Sequence, residues 1–148
     1  MMELSDAQAH WLASALVGRL ATADVTGAPH VIPVCYAFDG RVIYSVLDRK
    51  PKRAPLTRLR RVRNIQANPQ VALVVDHYED DWQRLGYLLV VGRAKLLLEG
   101  DERDAAVRLL REKYHQYRTM DVDANPVIKI VPDRVVGWGA VPPPVRPA

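Results

Sequence analysis

The side chains best suited to chemistry are cations concentrated in one stretch, residues 48–69. The whole chain has 21 Lys and Arg against 17 Asp and Glu, so its net charge of +4 is smaller than the charge held in this stretch. Guanidinium groups bind phosphate and carboxylate through paired hydrogen bonds. The stretch therefore predicts an anion-binding site, and a solvated basic surface is the alternative. The cations are Arg49, Lys50, Lys52, Arg53, Arg58, Arg60, Arg61 and Arg63.

Local spacing divides this basic stretch into two parts. Pro51 and Pro55 keep the first part extended, and apolar residues then recur every three positions. That period predicts a short amphipathic helix after Pro55, and free N–H groups at its start would also suit an anion. The apolar positions are Leu56, Leu59, Val62 and Ile65. The polar face carries Arg60, Arg61 and Asn64, with Arg58 and Arg63 on its flanks.

The rest of the chain offers no catalytic set and no metal site. The four histidines lie far apart, and Ser45 lacks the Gly-x-Ser-x-Gly turn of a nucleophile. A lone Cys35 forms neither an internal disulfide nor a zinc site, and its presence fits a reducing cytoplasm. If the protein is an enzyme, we expect a bound cofactor to carry the reaction.

Length and composition suit one soluble domain. The 148 residues are 49% hydrophobic and 26% charged, and the apolar runs are too short to span a bilayer. We predict a single domain over residues 1–139, followed by a proline-rich tail at 140–148 that is extended or disordered. No signal peptide is expected, and the predicted location is cytoplasmic.

The elements that would position the basic stretch are mostly strands. A capping box at Ser5 and Gln8 predicts an opening helix over residues 5–16. Three antiparallel strands follow at 17–25, 30–38 and 41–47, the last two joined by an Asp39-Gly40 hairpin. Further strands are predicted at 70–78 and 85–99, where Gly92 would allow a bulge. A helix opens at Gly100-Asp101, and residues 126–138 form a strand pair or one strand interrupted near Pro132.

This order of elements predicts a mainly β protein. Six or so antiparallel strands with few helices in a small domain favour a barrel over an open sheet. The strands are not regularly separated by helices, which argues against a parallel α/β fold. Two tryptophans, Trp82 in an acidic loop and Trp138 at the end of the last strand, either stack on a planar ligand or cover the core edges.

The basic stretch also carries a family resemblance. Residues 50–82 (KPKRAPLTRLRRVRNIQANPQVALVVDHYEDDW) and 89–97 (LVVGRAKLL) resemble the pyridoxamine 5′-phosphate oxidase-like split β-barrel superfamily, and within it the coenzyme F420-dependent branch. The most specific piece is Arg-Asn-Ile-x-x-Asn-Pro-x-Val, which begins at Arg63. The resemblance implies a homodimer of six-stranded antiparallel split barrels of the FMN-binding type with peripheral helices. Two cofactor sites would lie at the subunit interface.

The resemblance also assigns site residues by position. The strand containing Pro33 and Val34 would run beside the cofactor ring, and Ser45 and Val46 would lie near the ribityl chain. The loop with Trp82 and the terminal Trp138 would border the ring, from either subunit. The phosphate would be held by Lys50, Arg58, Arg61 and Arg63.

The function implied is an F420-dependent oxidoreductase in which hydride passes from the reduced deazaflavin to a small organic substrate. Tyr36, Tyr44, His77 or water would supply a proton, and no catalytic residue is assigned. The pyridoxal-binding residues of the true oxidase have no clear match, which argues against vitamin B6 oxidation. FMN is the alternative cofactor, and a non-enzymatic flavin or F420 carrier is a second alternative.

Two other binding functions are less well supported by the residues. Nucleic-acid binding is disfavoured because the basic stretch lacks interleaved aromatic residues and stands on a nearly neutral chain. Haem binding occurs in the superfamily, but no well-placed histidine argues for it here. No membrane association is expected.

Overall fold

The computed structural model describes residues 3–48 and 55–143, which form three α-helices and seven β-strands. The helices are α1 (Asp6–Ser14), α2 (Arg60–Ala67) and α3 (Asp101–Lys113). The strands are β1 (Gly18–Ala23), β2 (Pro29–Val34), β3 (Ala37–Phe38), β4 (Ile43–Val46), β5 (Gln70–His77), β6 (Gly86–Leu97) and β7 (Val127–Gly139). Short 3₁₀ turns cover Leu56–Arg58, Trp82–Arg84 and His115–Arg118.

The strands form one antiparallel sheet that curls into a half-barrel, which confirms the predicted mainly β fold. Their order is β2-β1-β5-β6-β7-β4-β3. The central strands are therefore β5, β6 and β7, and the sheet edges are β2 and β3. Because β2 and β3 follow one another in the chain, the two edges of the sheet approach each other at residues 35 and 36.

The hairpin predicted at Asp39-Gly40 joins β3 to β4. One carboxylate oxygen of Asp39 accepts hydrogen bonds from the backbone N–H groups of Arg41 and Val42 at 2.8 and 2.7 Å. Gly40 adopts a φ of 99°, which glycine tolerates without strain. The turn chemistry therefore explains why the chain reverses at this point.

The sheet has seven strands rather than six because residues 30–38 do not form one continuous strand. The chain leaves the ladder at residues 35 and 36, where the Tyr36 side chain turns into the core. Its hydroxyl donates a 2.5 Å hydrogen bond to the backbone oxygen of Leu12. This break separates β2 from the two-residue β3.

The longest pairing joins β6 to β7, with Tyr87 opposite Trp138 and Leu97 opposite Val127. The register shifts between Val91 and Gly92, which confirms the bulge expected at this glycine. Residues 126–138 are accordingly part of one irregular strand rather than a strand pair.

The core has two parts. The larger cluster fills the curled sheet and receives Trp11 from α1 and Val62 from α2. The smaller cluster lies beneath α3, where Val107 and Leu110 pack near Tyr44. Helix α3 therefore covers the β3–β4 end of the sheet.

Helix α2 presents its apolar face to the sheet as the sequence predicts, but Asn64 does not lie on the solvent side. Its side chain is buried, and its amide donates a 3.0 Å hydrogen bond to the Thr22 hydroxyl on β1. Burial of this amide is tolerated because it has a hydrogen-bond partner.

The chain after β7 passes the start of β6 and continues to Pro143. The Ala140 N–H donates to the backbone oxygen of Leu85, and Val141 packs against the larger core cluster. Residues 144–148 of the predicted tail lie outside the described residues. No helix in the described part of the chain is long and apolar enough to cross a membrane.

Candidate functional site

A groove lies where the end of β2 passes alongside β4. The Ser45 hydroxyl donates a 2.8 Å hydrogen bond to the backbone oxygen of Cys35, which ties the two segments together. The groove has a volume of about 180 Å³. Its lining residues are Val17, Pro33, Val34, Cys35, Ser45, Val46, Asp48 and Arg61.

The groove combines apolar walls with a small number of polar groups. Valine and proline side chains line the part formed by β2 and β4. Arg61 reaches the groove from the first turn of α2, and Asp48 lies just beyond the end of β4. An apolar cleft with a few convergent polar groups is typical of sites for small organic ligands.

Asp48 is held in place by a residue from the turn that follows α3. The Tyr117 hydroxyl donates a 2.6 Å hydrogen bond to one carboxylate oxygen of Asp48. The adjacent Leu47 donates its N–H to the Pro126 oxygen and accepts a 2.6 Å hydrogen bond from the Asn125 amide. Burial raises the pKa of Tyr117, and its hydrogen bond to the Asp48 carboxylate raises the pKa further. Tyr117 is therefore a stable hydrogen-bond donor at neutral pH.

A partly buried cation, Lys113, lies behind the β2–β3 bend. Its ammonium nitrogen donates a 2.8 Å hydrogen bond to the Tyr36 backbone oxygen and stands 4.1 Å from the centre of the Tyr36 ring. Burial lowers the pKa of Lys113 to about 8. The hydroxyl of the neighbouring Tyr114 forms hydrogen bonds with backbone atoms of both Leu16 and Tyr36. These bonds hold the segments next to Val17 and Cys35 in place.

Tyr36 and Tyr44, the two tyrosines named as candidate proton donors, both donate hydrogen bonds to groups outside the groove. Tyr36 is fully buried and bonded to Leu12, and burial raises its pKa. Tyr44 donates a 2.8 Å hydrogen bond to Glu102, and burial together with that carboxylate raises its pKa. Neither tyrosine lines the groove.

Five residues assigned by the resemblance lie together in the groove: Pro33, Val34, Ser45, Val46 and Arg61. Arg58 and Arg63 are exposed on the same segment but do not line it. Arg63 is two positions beyond Arg61, about 200° around the helix, so the two side chains leave α2 on opposite sides. Lys50 lies outside the described residues.

Neither tryptophan lines the groove of the same protomer. Ile128 at the start of β7 pairs with Ser45, whereas Trp138 is near the strand's other end, roughly 30 Å further along at about 3.3 Å per residue. Trp138 stacks on Tyr87 with ring centres 5.8 Å apart. Trp82 is 72% exposed in the turn after β5. If either borders the cofactor ring, it does so from a second subunit.

Sequence reasoning did not single out three lining residues: Val17, Cys35 and Asp48. Cys35 lies inside the segment assigned to the ring, and Asp48 opens the basic stretch. The local signal for Asp48 was its position directly after a strand, although its partner Tyr117 is remote in sequence.

A second cleft of about 350 Å³ lies beside α1 and the end of β5. Within it, His77 and Glu79 form a 2.6 Å pair, and Arg84 approaches Glu79 at 3.7 Å. Its other lining residues include His10, Trp11, Asp76 and Pro142. In the described part of the chain, no group of three or more His, Cys, Asp and Glu side chains is placed to hold a metal ion.

The fold agrees with a comparison against protein families. A family model described as pyridoxamine 5′-phosphate oxidase matches residues 4–139, which include every strand of the sheet. The chain belongs to the pyridoxamine 5′-phosphate oxidase family. Among curated proteins, a sequence search finds no significant match.

Several solved structures share the fold of this pyridoxamine 5′-phosphate oxidase family member. The conserved hypothetical protein Rv2991 of Mycobacterium tuberculosis is 20% identical with a TM-score of 0.74, over 93% of this chain and 86% of that one. A haem-binding protein of Mycobacterium smegmatis is 22% identical with a TM-score of 0.71, over 95% of this chain and 56% of that one. The haem storage protein HutZ of Vibrio cholerae is 15% identical with a TM-score of 0.67, over 88% and 89% of the two chains. At these identities the likeness establishes the fold alone.

Proposed function

We propose that the protein is an oxidoreductase that binds coenzyme F420, or alternatively FMN, in the groove between β2 and β4. The observation that carries the proposal is the convergence of Pro33, Val34, Ser45, Val46 and Arg61 on one cleft. These are positions that the family resemblance assigns to the ring, the ribityl chain and the phosphate. Membership of the pyridoxamine 5′-phosphate oxidase family supports an oxidoreductase function.

The groove residues suit a flat ring joined to a phosphorylated polyol. Arg61 would pair with the phosphate through its planar guanidinium, and the valine and proline walls would pack against the ring. Ser45 is occupied by Cys35, so its hydroxyl would orient the β2 segment and accept a hydrogen bond from the polyol. When bound, the cofactor supplies hydride transfer, and the protein orients its ring and excludes water.

The size of the groove supports a site completed by a second subunit. Sites for cofactor-sized ligands usually enclose about 300–1,000 Å³, whereas this groove encloses about 180 Å³. A homodimer would add a second wall, and exposed Trp138 or Trp82 from the partner would be suited to cover the ring.

F420 and FMN differ beyond the phosphate. F420 carries an acidic oligoglutamate tail, for which Lys52, Arg53 and the exposed Arg60 would be partners; Lys52 and Arg53 lie outside the described residues. FMN ends at the phosphate and would need only the groove. Parallel fluorescence titrations of the purified protein with F420 and FMN distinguish them, and a yellow preparation favours FMN.

The test of the shared site is Arg61→Ala. We expect the affinity for FMN and F420 to fall about 10- to 100-fold, because charge-assisted hydrogen bonds contribute roughly 1.5–3 kcal/mol each. Arg108→Ala is the matched control, since it removes an exposed arginine from α3 and should leave both affinities unchanged. A folded wild-type protein that binds neither compound would contradict the proposed function.

Haem binding is a second candidate because two of the similar structures are haem proteins by name. Cys35 is a groove-lining side chain whose thiolate could ligate iron, whereas no histidine lines this groove in residues 3–48 and 55–143. Titration with haemin would reveal a shifted Soret band if the groove takes haem. That shift should disappear in Cys35→Ser and persist in Arg108→Ala.

A further inference from the structure

We propose that Asp48 is a specificity-determining residue of the groove, where its carboxylate accepts hydrogen bonds from the hydroxyl groups of a bound polyol chain and disfavours a second anionic group. This inference rests on the proposed function, because it takes the groove as the cofactor site. It narrows the ligand class to one phosphate separated from a flat ring by a neutral, hydroxylated linker.

Asp48 lies in the same groove as an arginine. Asp48 and Arg61 line the same groove, which encloses only about 180 Å³. A ligand that fills the groove therefore contacts both Asp48 and Arg61. Arg61 attracts an anion, and a carboxylate accepts hydrogen bonds from hydroxyl donors.

The second step is that one Asp48 oxygen remains available. Tyr117 donates to Oδ2 at 2.6 Å. Among the described residues, no hydrogen bond or ion pair reaches Oδ1. Asp48 is half-buried and lines the groove, so a ligand that enters displaces water from it, and a carboxylate oxygen that loses water needs a donor in exchange.

The third step is that the carboxylate is fixed before any ligand arrives. Tyr117 is only 3% exposed, and its ring packs edge-on against Tyr114 with centres 5.5 Å apart. The main chain at Leu47 is bonded on both its N–H and its oxygen to residues 125 and 126. A carboxylate held this firmly cannot swing away from a second anion, so a ligand that places one there is rejected by charge repulsion.

The test compares ligands that share a ring and differ in the polyol. Riboflavin carries the ribityl chain without phosphate, and lumiflavin carries the ring without the ribityl chain. In Asp48→Asn we expect riboflavin affinity to fall about 10-fold, because a hydrogen bond to a charged acceptor is replaced by one to a neutral amide. Lumiflavin affinity should not change, and FMN should lose less than riboflavin because repulsion of its phosphate is also relieved.

A second variant keeps the test independent of folding. Tyr117→Phe retains the carboxylate but frees it, so riboflavin affinity should fall by a smaller factor, about 2- to 5-fold. Circular dichroism and thermal melting establish that each variant is folded, and Tyr117→Phe carries the test if Asp48→Asn is not. Haemin carries two anionic propionates, so removal of the Asp48 charge should not weaken its binding. Its affinity for Asp48→Asn should be at least equal to its affinity for the wild type.

The outcomes separate this inference from the proposed function. A wild-type protein that binds neither FMN nor F420 overturns the function itself. A wild-type protein that binds FMN while riboflavin affinity is unchanged in Asp48→Asn overturns only the role of Asp48. Equal losses for riboflavin and lumiflavin would also overturn it, because they would indicate a distorted groove rather than a lost contact with the polyol.

Discussion

Single side chains around the groove are restrained to different degrees. Asp48 is fixed by a buried tyrosine, and Lys113 is held against the face of Tyr36 and bonded to its backbone oxygen. Arg58 and Arg63 are exposed and do not line the groove. A partly buried charge makes the free energy of unfolding depend on pH, because its pKa differs between the folded and unfolded states. An exposed charge contributes little to folding stability.

Lys113 is expected to make stability depend on pH between about 7 and 9.5. Burial lowers its pKa to about 8 in the folded protein, from 10.5 in the unfolded chain. Above pH 8 the unfolded state then binds more protons than the folded state, so stability rises with pH. Urea denaturation should show the wild type gaining about 1 kcal/mol relative to Lys113→Met over this range, after allowance for partial solvent exposure.

The control for this measurement is Lys95→Met, which removes an exposed lysine from β6. Its stability difference from the wild type should stay constant with pH. The range stops below pH 10 because burial raises the pKa of Tyr114 to about 12, and its ionisation in the unfolded chain would oppose the trend. A pH-independent difference between wild type and Lys113→Met would show that the ammonium is not desolvated in solution.

In the β6–β7 ribbon, the bulge at Gly92 leaves no room for a larger residue. At the bulge, Gly92 lies opposite Pro132, and the two backbones approach closely. A Cβ atom at this position would stand 2.3 Å from the Val131 backbone oxygen and 3.0 Å from Pro132 Cα. Backbone atoms cannot rotate away as a side chain can, so the ribbon itself must shift to admit any other residue.

Gly92→Ala should therefore destabilise the protein by about 1–3 kcal/mol, as overpacking does in well-packed interiors. Thermal or chemical unfolding monitored by circular dichroism measures the change. Arg93→Ala on the adjacent position is the control, because its ion pair with Asp133 is exposed and should contribute less than about 1 kcal/mol. A Gly92→Ala protein as stable as the wild type would mean that the bulge readily rearranges.

Elements defined by local chemistry could be predicted, whereas contacts between distant elements could not. The Ser5–Gln8 capping box and the Asp39-Gly40 hairpin involve neighbouring residues, and both are present. The bond between Asn64 and Thr22 and the bond between Tyr117 and Asp48 join remote segments. Helical periodicity placed Asn64 on the solvent face because a pattern of apolar residues carries no information about a polar partner on another strand.

The candidate site shows the same division. Resemblance assigned the segments at Pro33, Ser45 and Arg61 without a structure, and the fold brings them to one groove. It did not assign Asp48, whose role depends on a tyrosine from the turn after α3. Nor does one protomer bring Trp138 to that groove, because β7 carries it away along the sheet.

The surface of the whole molecule offers a face for a second copy of the chain. Val136 and Trp138 are 39% and 54% exposed and occupy alternate positions of β7, so they share one face of the strand. Exposed apolar residues grouped in this way are typical of interfaces. Together with the small volume of the groove, they support the proposed homodimer.

Trp138→Ser tests whether dimerisation and cofactor binding are linked. We expect sedimentation velocity to show a larger monomer fraction and FMN affinity to fall at least 10-fold, because buried aromatic anchors dominate interface energies. Tyr78→Ser, which removes an aromatic side chain that is 69% exposed, should alter neither property. A wild-type protein that binds FMN as a monomer would refute the shared site.

The pairing of β4 with β7 has a consequence for how the chain folds. It joins Ile43 to Ile130, which are separated by more than half of the chain. Until β7 arrives, β4 has only the two-residue β3 beside it. Closing so long a loop costs entropy before the contacts compensate for it, and such pairings form slowly. During synthesis the groove is therefore among the last parts to assemble, and the proposed cofactor would stabilise the finished fold rather than guide its early steps.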